Sequence, residues 1–440
     1  MLYRLLKLII GLGIKLYYRK IKVNNAHVLE KSGPKIIIAN HPNTLMDAWL
    51  LTQICKEPIF YMAKGTFFNS PLKRLILNSL GLIPVNRAVD SKISGVSNED
   101  SFSKCYELLE KGKSLVIFPE GNSFQERMLR KLKSGTARIA LETEKRNDGK
   151  LGLLIVPVGL IYLEASKFRS AVVANVGEPI SPLTYLEMFK SDSLKAARKL
   201  TEEFKNGLSQ LLINSDSKEQ ETLADQVIEL LASPYKRGSS NEVEDEIDEM
   251  KTVYNRLNQL YSTDIQLIER VKKLVWLINW QTEKLEINAK FLDRNFRFSM
   301  FFRQLLQSII GMIIGLPLFL FGYIHNILPF RLTDVLVPKI VSDVEYYAPL
   351  AVLIGLIVYP LNYLMFGYIV NVYIPLEWYW ELVYLISMML GGLFAYYYYH
   401  YYHHISLKLN FIFSMRNEID AVNSIKEKRN ELRSIIYSEN

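Results

Sequence analysis

Three long apolar stretches lie in the last third of this 440-residue chain and constrain its fold more than any other feature. The first two, residues 305–330 and 346–374, contain no Asp, Glu, Lys or Arg, and each exceeds the roughly 20 residues that a helix needs to cross a bilayer. The third, residues 382–395, is shorter, but it is flanked by Trp and Tyr, which favour the membrane interface. One such stretch could be a buried core helix, whereas three close together predict transmembrane helices over residues 300–405.

Basic residues flank the apolar region on both sides, which leaves its orientation open. Four Lys and Arg residues between positions 290 and 303 precede the first stretch and favour a cytoplasmic location for that side. The tail 406–440, which we expect to be helical, is basic as well, and an odd number of spans would place it on the opposite side. Therefore either one stretch is re-entrant, or the second stretch is split into two spans at Pro360.

Two further segments are expected to be helical. The N-terminal segment 1–24 is apolar but interrupted by Arg4, Lys7 and Lys15, and it lacks the small-residue cleavage site of a signal peptide. We expect an amphipathic helix that lies in the membrane interface, with a short anchoring span as the alternative. Residues 216–299 are rich in charged residues and predict long polar helices, which are interrupted near Pro234 and Gly238.

The composition excludes several classes of protein. Hydrophobic residues make up 49% of the chain, which excludes a disordered or collagen-like protein. Two cysteines, Cys55 and Cys105, are too few for a disulfide framework or a Cys-based zinc module and favour a reducing compartment. The net charge of +8 fits attraction to an anionic membrane or substrate, and no nucleic-acid-reading motif accompanies it, so no nucleic-acid partner is expected.

Between residues 25 and 215 the sequence alternates between strand-like and helix-like segments. Segments 98–111 and 135–145 have the length and pattern of helices. Four apolar runs predict buried strands: residues 35–39, 114–118, 153–156 and 171–176. This alternation predicts an α/β fold, in which helices flank a sheet.

The residues that could carry chemistry follow the predicted strands. His41 comes directly after the strand 35–39, and Asp47 would occupy the third position of a helix that has Thr44 as its N-cap. A carboxylate bonded to one imidazole nitrogen fixes the tautomer and raises the basicity of the other nitrogen, so His41 could take a proton from a hydroxyl. The same residues also fit an ordinary helix-capping pattern, in which His41 is only a turn residue.

Four short blocks together carry a resemblance to a known family. They are Asn40-His41 with Asp47, Gly81-Leu-Ile-Pro-Val-Asn-Arg87, Phe118-Pro-Glu-Gly121 and Val156-Pro-Val158. In this order they resemble the glycerolipid acyltransferase superfamily, whose members acylate glycerol 3-phosphate or lysophosphatidate, and the resemblance covers about residues 20–215. The family has four residues between its His and Asp, whereas this chain has five. The turn that contains Pro42 could absorb the extra residue before the helix begins.

The resemblance implies roles for the residues of the first three blocks. His41 would be the general base, and Asp47 would orient it. Arg87 would bind the phosphate of the acceptor, for which its planar guanidinium is suited. Glu120 would bond a glycerol hydroxyl or orient Arg87, and Gly121 would let the backbone approach the ligand closely.

The resemblance extends to three weaker matches. Lys133 and Arg138 lie in a run similar to the family's Lys-x-Gly segment and would neutralise phosphates of the acceptor or of the coenzyme. Pro157 would help to shape the acyl-donor side. Phe67 and Phe68 follow a lysine in a segment that relatives place near the membrane, and we expect them to contact lipid or the acyl chain.

The resemblance implies a membrane-bound enzyme that transfers a fatty acyl group from acyl-CoA or acyl carrier protein to a phosphorylated glycerol acceptor. It implies no cofactor and no metal, and a site at the cytoplasmic face of a bacterial plasma membrane, with the lipid bilayer as a partner. The extra residue between His41 and Asp47 keeps open an alternative, a non-catalytic lipid-binding scaffold. His400, His403 and His404 have a metal-like spacing, but interfacial aromatic neighbours explain them better. No Gly-x-Ser-x-Gly elbow supports a serine hydrolase.

Overall fold

A computed structural model describes residues 2–85, 98–232, 242–293 and 298–438. The chain divides into two compact units. Unit 1 comprises Met1–Asn214 and Val341–Val352, and unit 2 comprises Ser215–Ile340 and Leu353–Asn440.

Unit 1 is built on a seven-stranded mixed sheet with the spatial order β1-β7-β6-β2-β5-β3-β4. Neighbouring strands run parallel except for β6 and β7, which pair antiparallel. The strands are β1 (Lys20–Asn24), β2 (Lys35–Ala39), β3 (Ile59–Lys64), β4 (Leu82–Val85), β5 (Ser114–Ile117), β6 (Leu154–Tyr162) and β7 (Ala171–Val176). The apolar runs correctly predicted β2, β5, β6 and β7, which form the buried centre of the sheet.

Helices cover the sheet and confirm the predicted α/β fold. They are α1 (Leu2–Tyr17), α2 (Leu45–Ile54), α3 (Pro71–Ser79), α4 (Asn98–Glu110), α5 (Gly135–Arg146), α6 (Leu186–Ser191) and α7 (Ser193–Leu211). All five side chains of β2 are buried, and the core continues through apolar residues of α4, α5 and α7. Because β2, β5, β3 and β4 are parallel, their carboxyl ends meet at one edge of the sheet.

The N-terminal segment is helical over a shorter range than 1–24. Helix α1 ends at Tyr17, and the chain then forms the edge strand β1, because Lys20–Asn24 alternates apolar with polar residues and pairs with β7. Helix α1 packs on α2, where the ammonium of Lys7 donates to the carbonyl of Cys55 at 2.8 Å. The opposite face of α1 exposes a stripe of apolar side chains: Leu5, Leu8, Ile9 and Leu12. Such a stripe suits contact with a membrane interface, which stays a prediction.

The polar part of unit 2 is a bundle of four helices: α8 (Lys218–Leu231), α9 (Glu242–Thr263), α10 (Ile265–Lys284) and α14 (Ile419–Tyr437). Each helix buries one apolar face and exposes a charged one. The predicted interruption near Pro234 and Gly238 lies outside the described residues. A second break, which was not predicted, separates α9 from α10 at Asp264, whose side chain caps α10 by accepting from the N–H of Leu267 at 2.9 Å.

The apolar part of unit 2 contains three long helices: α11 (Phe298–Ile340), α12 (Tyr347–Tyr373), whose first residues belong to unit 1, and α13 (Trp378–Asn417). All three are long and apolar enough to cross a membrane. Helix α12 runs unbroken through Pro360, so the expected alternative of a split at that residue is wrong. Helix α13 extends well beyond residues 382–395, because the run of Tyr and His residues that follows is also helical.

Helices α11 and α13 pack antiparallel at close range. The hydroxyl of Tyr398 donates to the carbonyl of Met312, and the amide of Asn326 donates to the carbonyl of Met388. Gly322 faces the backbone of Gly391 so closely that a Cβ at Gly322 would overlap the Gly391 carbonyl oxygen. Small residues at the contact of two apolar helices are typical of membrane proteins, because they let the backbones approach.

Candidate active site

The loop between β2 and α2 brings His41 and Asp47 together. Nδ1 of His41 lies 2.9 Å from Oδ2 of Asp47, whose side chain is fully buried, whereas the imidazole keeps 19% of its surface exposed. An ionised carboxylate can only accept a hydrogen bond, so Nδ1 carries the proton in the neutral ring. Nε2 is then the basic nitrogen, and it has no hydrogen-bond partner among the described residues.

The extra residue of the first block is accommodated before α2 begins. The helix starts at Leu45, which places Asp47 at its third position as predicted. Thr44 occupies the N-cap position with φ 41°, and its side chain makes no capping hydrogen bond, so the expected capping pattern does not form. Instead, Oδ2 of Asp47 accepts the N–H of Asn43 at 2.7 Å. The loop therefore absorbs the extra residue through an unusual backbone conformation at Thr44.

Tyr162 holds the second oxygen of the Asp47 carboxylate. Its hydroxyl donates to Oδ1 at 2.7 Å, and both side chains are buried. Burial, followed by the nearby charge of Asp47, raises the pKa of Tyr162 well above 10.0, so the phenol stays protonated and donates. Sequence reasoning missed this residue, because the pairing of β6 with β2 that brings Tyr162 to Asp47 leaves no local sequence signal.

Glu120 binds backbone N–H groups of two loops, one of which contains His41. Its Oε1 accepts the N–H of His41 at 3.1 Å, and its Oε2 accepts the N–H of Arg130 at 3.3 Å. Burial raises the pKa of Glu120 above its usual value, and the hydrogen bonds from His41 and Arg130 act in the opposite direction. Both oxygens of Glu120 already accept backbone N–H groups, and the role expected for this residue, toward a glycerol hydroxyl or Arg87, stays a prediction.

Phe118 of the third block and Ser123, just after that block, also support His41. The ring of Phe118 stacks on the imidazole, with centroids 3.9 Å apart and planes 9° apart. The hydroxyl of Ser123 donates to the carbonyl of His41 at 2.7 Å and accepts the N–H of Thr44 at 3.0 Å. Sequence reasoning did not single out Ser123, which lies two residues after the Phe-Pro-Glu-Gly block.

A segment far along the chain also reaches this loop. The hydroxyl of Thr44 donates to the carbonyl of Glu345 at 2.9 Å, and Glu345 belongs to the part of unit 1 that precedes α12. Thr44 is buried, although it lies in a loop. The segment Val341–Val352 thus forms part of the surroundings of His41, a contact that its separation in sequence hides.

The other predicted site residues lie in different surroundings. Arg87 lies outside the described residues. Gly121 has φ 75°, and a Cβ there would collide with the side chain of Lys133, so the lysine lies against the turn after β5. Arg138 is exposed on α5. Pro157 is buried in β6 and packs toward Gly177, so the structure places it in the core, and its role on the donor side stays a prediction.

The two phenylalanines after β3 differ in exposure. Phe67 exposes 51% of its surface, whereas Phe68 exposes only 3%. Phe67 can therefore contact lipid as expected, but Phe68 is part of the protein interior. Among the described residues no group of His, Cys, Asp or Glu side chains could hold a metal ion.

Comparison with known proteins identifies the region that carries this site. Residues 20–161 match the family model described as Acyltransferase. The matched region contains His41, Asp47 and Glu120, and it is similar to acyltransferases that are named for glycerol 3-phosphate and 1-acyl-sn-glycerol 3-phosphate.

Two relatives and one solved structure illustrate the extent of the similarity. Glycerol-3-phosphate O-acyltransferase 2 of Saccharomyces cerevisiae is 32% identical over 27% of this chain and 16% of its own length. The chloroplastic 1-acyl-sn-glycerol-3-phosphate acyltransferase LPAT1 of Arabidopsis thaliana is 27% identical over 34% of this chain and 38% of its own length. The crystal structure of the 1-acyl-sn-glycerophosphate acyltransferase of Thermotoga maritima aligns with 47% of this chain and 79% of its own, at 21% identity and a TM-score of 0.34. The chain thus spans less than half the length of both relatives.

Proposed function

We propose that this protein is a membrane-bound O-acyltransferase of phospholipid biosynthesis. It moves a fatty acyl group from acyl-CoA or acyl carrier protein to glycerol 3-phosphate, dihydroxyacetone phosphate or 1-acylglycerol 3-phosphate. The observation that carries the proposal is the 2.9 Å contact between His41 and Asp47, which leaves Nε2 of a partly exposed imidazole free. The two relatives described above, a glycerol-3-phosphate O-acyltransferase and a 1-acyl-sn-glycerol-3-phosphate acyltransferase, support this choice of acceptors.

The geometry suits general-base catalysis. Nε2 of His41 accepts the proton of an acceptor hydroxyl while Asp47 holds the opposite nitrogen, and the hydroxyl oxygen forms a bond to the thioester carbonyl carbon. The C–S bond then breaks, and the leaving thiolate recovers the proton from Nε2. The ester and the free thiol are the products, so no cofactor or metal enters the reaction we propose.

The alternative, a lipid-binding scaffold without catalysis, depended on the extra residue between His41 and Asp47. If the two side chains were apart, the base could not be oriented. Their contact, and the hydroxyl of Tyr162 on the second oxygen of Asp47, argue against the scaffold.

The proposal includes a location in a membrane. We propose that α11, α12 and α13 anchor the protein in a bacterial plasma membrane, because each is long and apolar enough to cross it. Lys290 and Arg303, which flank the start of the first apolar stretch, support a cytoplasmic site by the positive-inside rule.

The test uses the purified full-length protein with labelled acyl-CoA or acyl carrier protein and a panel of the three acceptors. We expect His41→Ala to lower kcat by roughly 10²–10⁴-fold, the usual contribution of a general base. His27→Ala is the matched control, because His27 is the other histidine of unit 1 and is exposed away from the loop. Absence of transfer by the unsubstituted protein to every acceptor would favour the scaffold, and equal activity of both variants would remove His41 from the mechanism.

A further inference from the structure

Tyr18, the residue that follows helix α1, has a buried hydroxyl that nothing in the proposed reaction uses. Tyr18 exposes only 2% of its surface, so its hydroxyl needs partners inside the protein. The hydroxyl donates to the carbonyl of Ala165, in the loop between β6 and β7, at 3.0 Å. It also accepts Nδ2 of Asn43, in the loop that contains His41, at 2.9 Å. Tyr18 therefore joins the end of α1 to the loop of His41.

The side chain of Asn43 depends on this contact for its position. It is fully buried, and its Nδ2 also donates to the carbonyl of Ala165 at 2.9 Å. A carbonyl can only accept, so the amide has its nitrogen, and not its oxygen, on this side. Oδ1 of Asn43 has no hydrogen-bond partner among the described residues. The Asn43 side chain is thus held through Nδ2, by Tyr18 and by Ala165.

Asn43 in turn holds the carboxylate that orients His41. Its N–H donates to Oδ2 of Asp47 at 2.7 Å, and the same oxygen lies 2.9 Å from Nδ1 of His41. Hydrogen bonds to an ionised group are roughly twice as strong as those between neutral groups. A displacement of this N–H would therefore change how Asp47 is held, and with it the orientation of the imidazole.

Tyr18 also contacts the residue that holds the second oxygen of Asp47. Its ring packs against the ring of Tyr162, with centroids 5.6 Å apart and planes 47° apart. The hydroxyl of Tyr162 donates to Oδ1 of Asp47 at 2.7 Å. Tyr18 thus touches both residues that donate to Asp47 from behind His41: Asn43 through its hydroxyl, and Tyr162 through its ring. Burial raises the pKa of Tyr18 well above 10.0, so the phenol stays protonated and keeps its hydrogen bonds.

We propose that Tyr18 is a positioning residue for the acyl transfer, which acts through Asn43 on the carboxylate of Asp47. The inference rests on the proposed function, in which Asp47 orients His41. Tyr18 lies outside residues 20–161, so the match to the family model does not include it. The inference gives the end of α1 a role in the chemistry that is separate from the predicted contact of its apolar stripe with a membrane.

The experiment measures acyl transfer by Tyr18→Phe in two backgrounds, with His41 present and with His41→Ala. The substitution removes only the hydroxyl, so the ring contact with Tyr162 remains. With His41 present, we expect kcat to fall about 3–10-fold, the effect of one hydrogen bond between neutral groups, with an unchanged acceptor KM. In the His41→Ala background we expect no further loss of the residual rate, because the base that Tyr18 helps to position is absent.

Tyr17→Phe is the matched control. Tyr17 is buried beside Tyr18, and its hydroxyl donates to the carbonyl of Ser166, in the same loop between β6 and β7, at 2.6 Å. We expect Tyr17→Phe to leave kcat unchanged in both backgrounds, and both substitutions to change thermal unfolding in detergent to a similar extent. An equal fold loss of Tyr18→Phe in the two backgrounds would mean a purely structural role and overturn the inference. A kcat equal to that of Tyr17→Phe would also overturn it.

A second substitution tests the link through Asn43. Asn43→Ala removes the amide but keeps the N–H that bonds to Asp47, and adding Tyr18→Phe to it should cause no further loss. Losses that multiply would mean that the two residues act separately, against the inference. If the unsubstituted protein transfers no acyl group, or if His41→Ala has no effect, the proposed function fails and the inference with it. If His41→Ala lowers the rate as expected and only Tyr18→Phe does not, the inference fails and the function stands.

Discussion

Tyr162 provides the sharpest test of how the site is held together. Replacing Tyr162 by Phe removes one hydroxyl and keeps the ring, so packing in β6 changes little. The hydroxyl donates to Oδ1 of Asp47 at 2.7 Å, and both residues are buried, with exposures of 5% and 0%. In the variant, a buried carboxylate oxygen loses its donor, and water cannot easily replace it.

The magnitude follows from the charge on the acceptor. A hydrogen bond to a charged group contributes about 1.5–3 kcal/mol, and a loss of about 1.4 kcal/mol in the transition state is a factor of ten in rate. If the whole loss appears in the transition state, kcat/KM falls by roughly 10–100-fold.

Acyl transfer is measured for the unsubstituted protein and for the variants Tyr162→Phe and Tyr61→Phe. Tyr61→Phe is the control, because its buried hydroxyl bonds to Thr52 and to the carbonyl of Ala48 on the same helix α2 but does not contact Asp47. Thermal unfolding in detergent should show a similar loss of stability for both variants. If Tyr162→Phe loses no more activity than Tyr61→Phe, Tyr162 does not position Asp47.

Three further outcomes follow from the structure. Thr44→Val removes the donor to the Glu345 carbonyl. We expect kcat to fall about 2–10-fold with an unchanged acceptor KM, and Thr44→Ser to recover the full rate. Steady-state kinetics of both variants is the measurement. Burial raises the pKa of Cys55 to about 11 and that of Cys105 to about 12. Both thiols are therefore protonated at pH 8, so iodoacetamide should label the native protein slowly and the denatured protein fully. Mass spectrometry measures the labelling. Arg429 is buried and bonds to Asp293 and to the carbonyl of Leu230. Because Arg429→Met leaves Asp293 without this partner, it should destabilise unit 2 by about 3–5 kcal/mol. The loss would appear as a lower Tm and as faster proteolysis of α14.

The sequence predicted those elements whose signal is local. The strands β2, β5, β6 and β7 are continuous apolar runs because both of their faces are covered. Strand β4 has only four residues, and β1 is a half-buried edge strand, so neither gives a clear pattern. The same limit applies to the site. His41 and Asp47 are six residues apart and could be predicted as a pair, whereas Tyr162 lies 115 residues from Asp47, and Glu345 lies 301 residues from Thr44.

The backbone and the side chain of His41 are held by different parts of the fold. The loop after β5 binds both backbone groups of His41, through the carboxylate of Glu120 on its N–H and the hydroxyl of Ser123 on its carbonyl. Helix α2 supplies Asp47, which fixes the imidazole of His41 and also accepts the N–H of Asn43. Because β2 and β5 are adjacent parallel strands, their connecting loops meet without any contribution from α2. A base that must meet both a hydroxyl and a thioester depends on fixed geometry, since a misplacement of about 1 Å can cost roughly 10²-fold in rate. With this division of support, Glu120 and Ser123 hold the backbone of His41 independently of the path that the chain takes to Asp47.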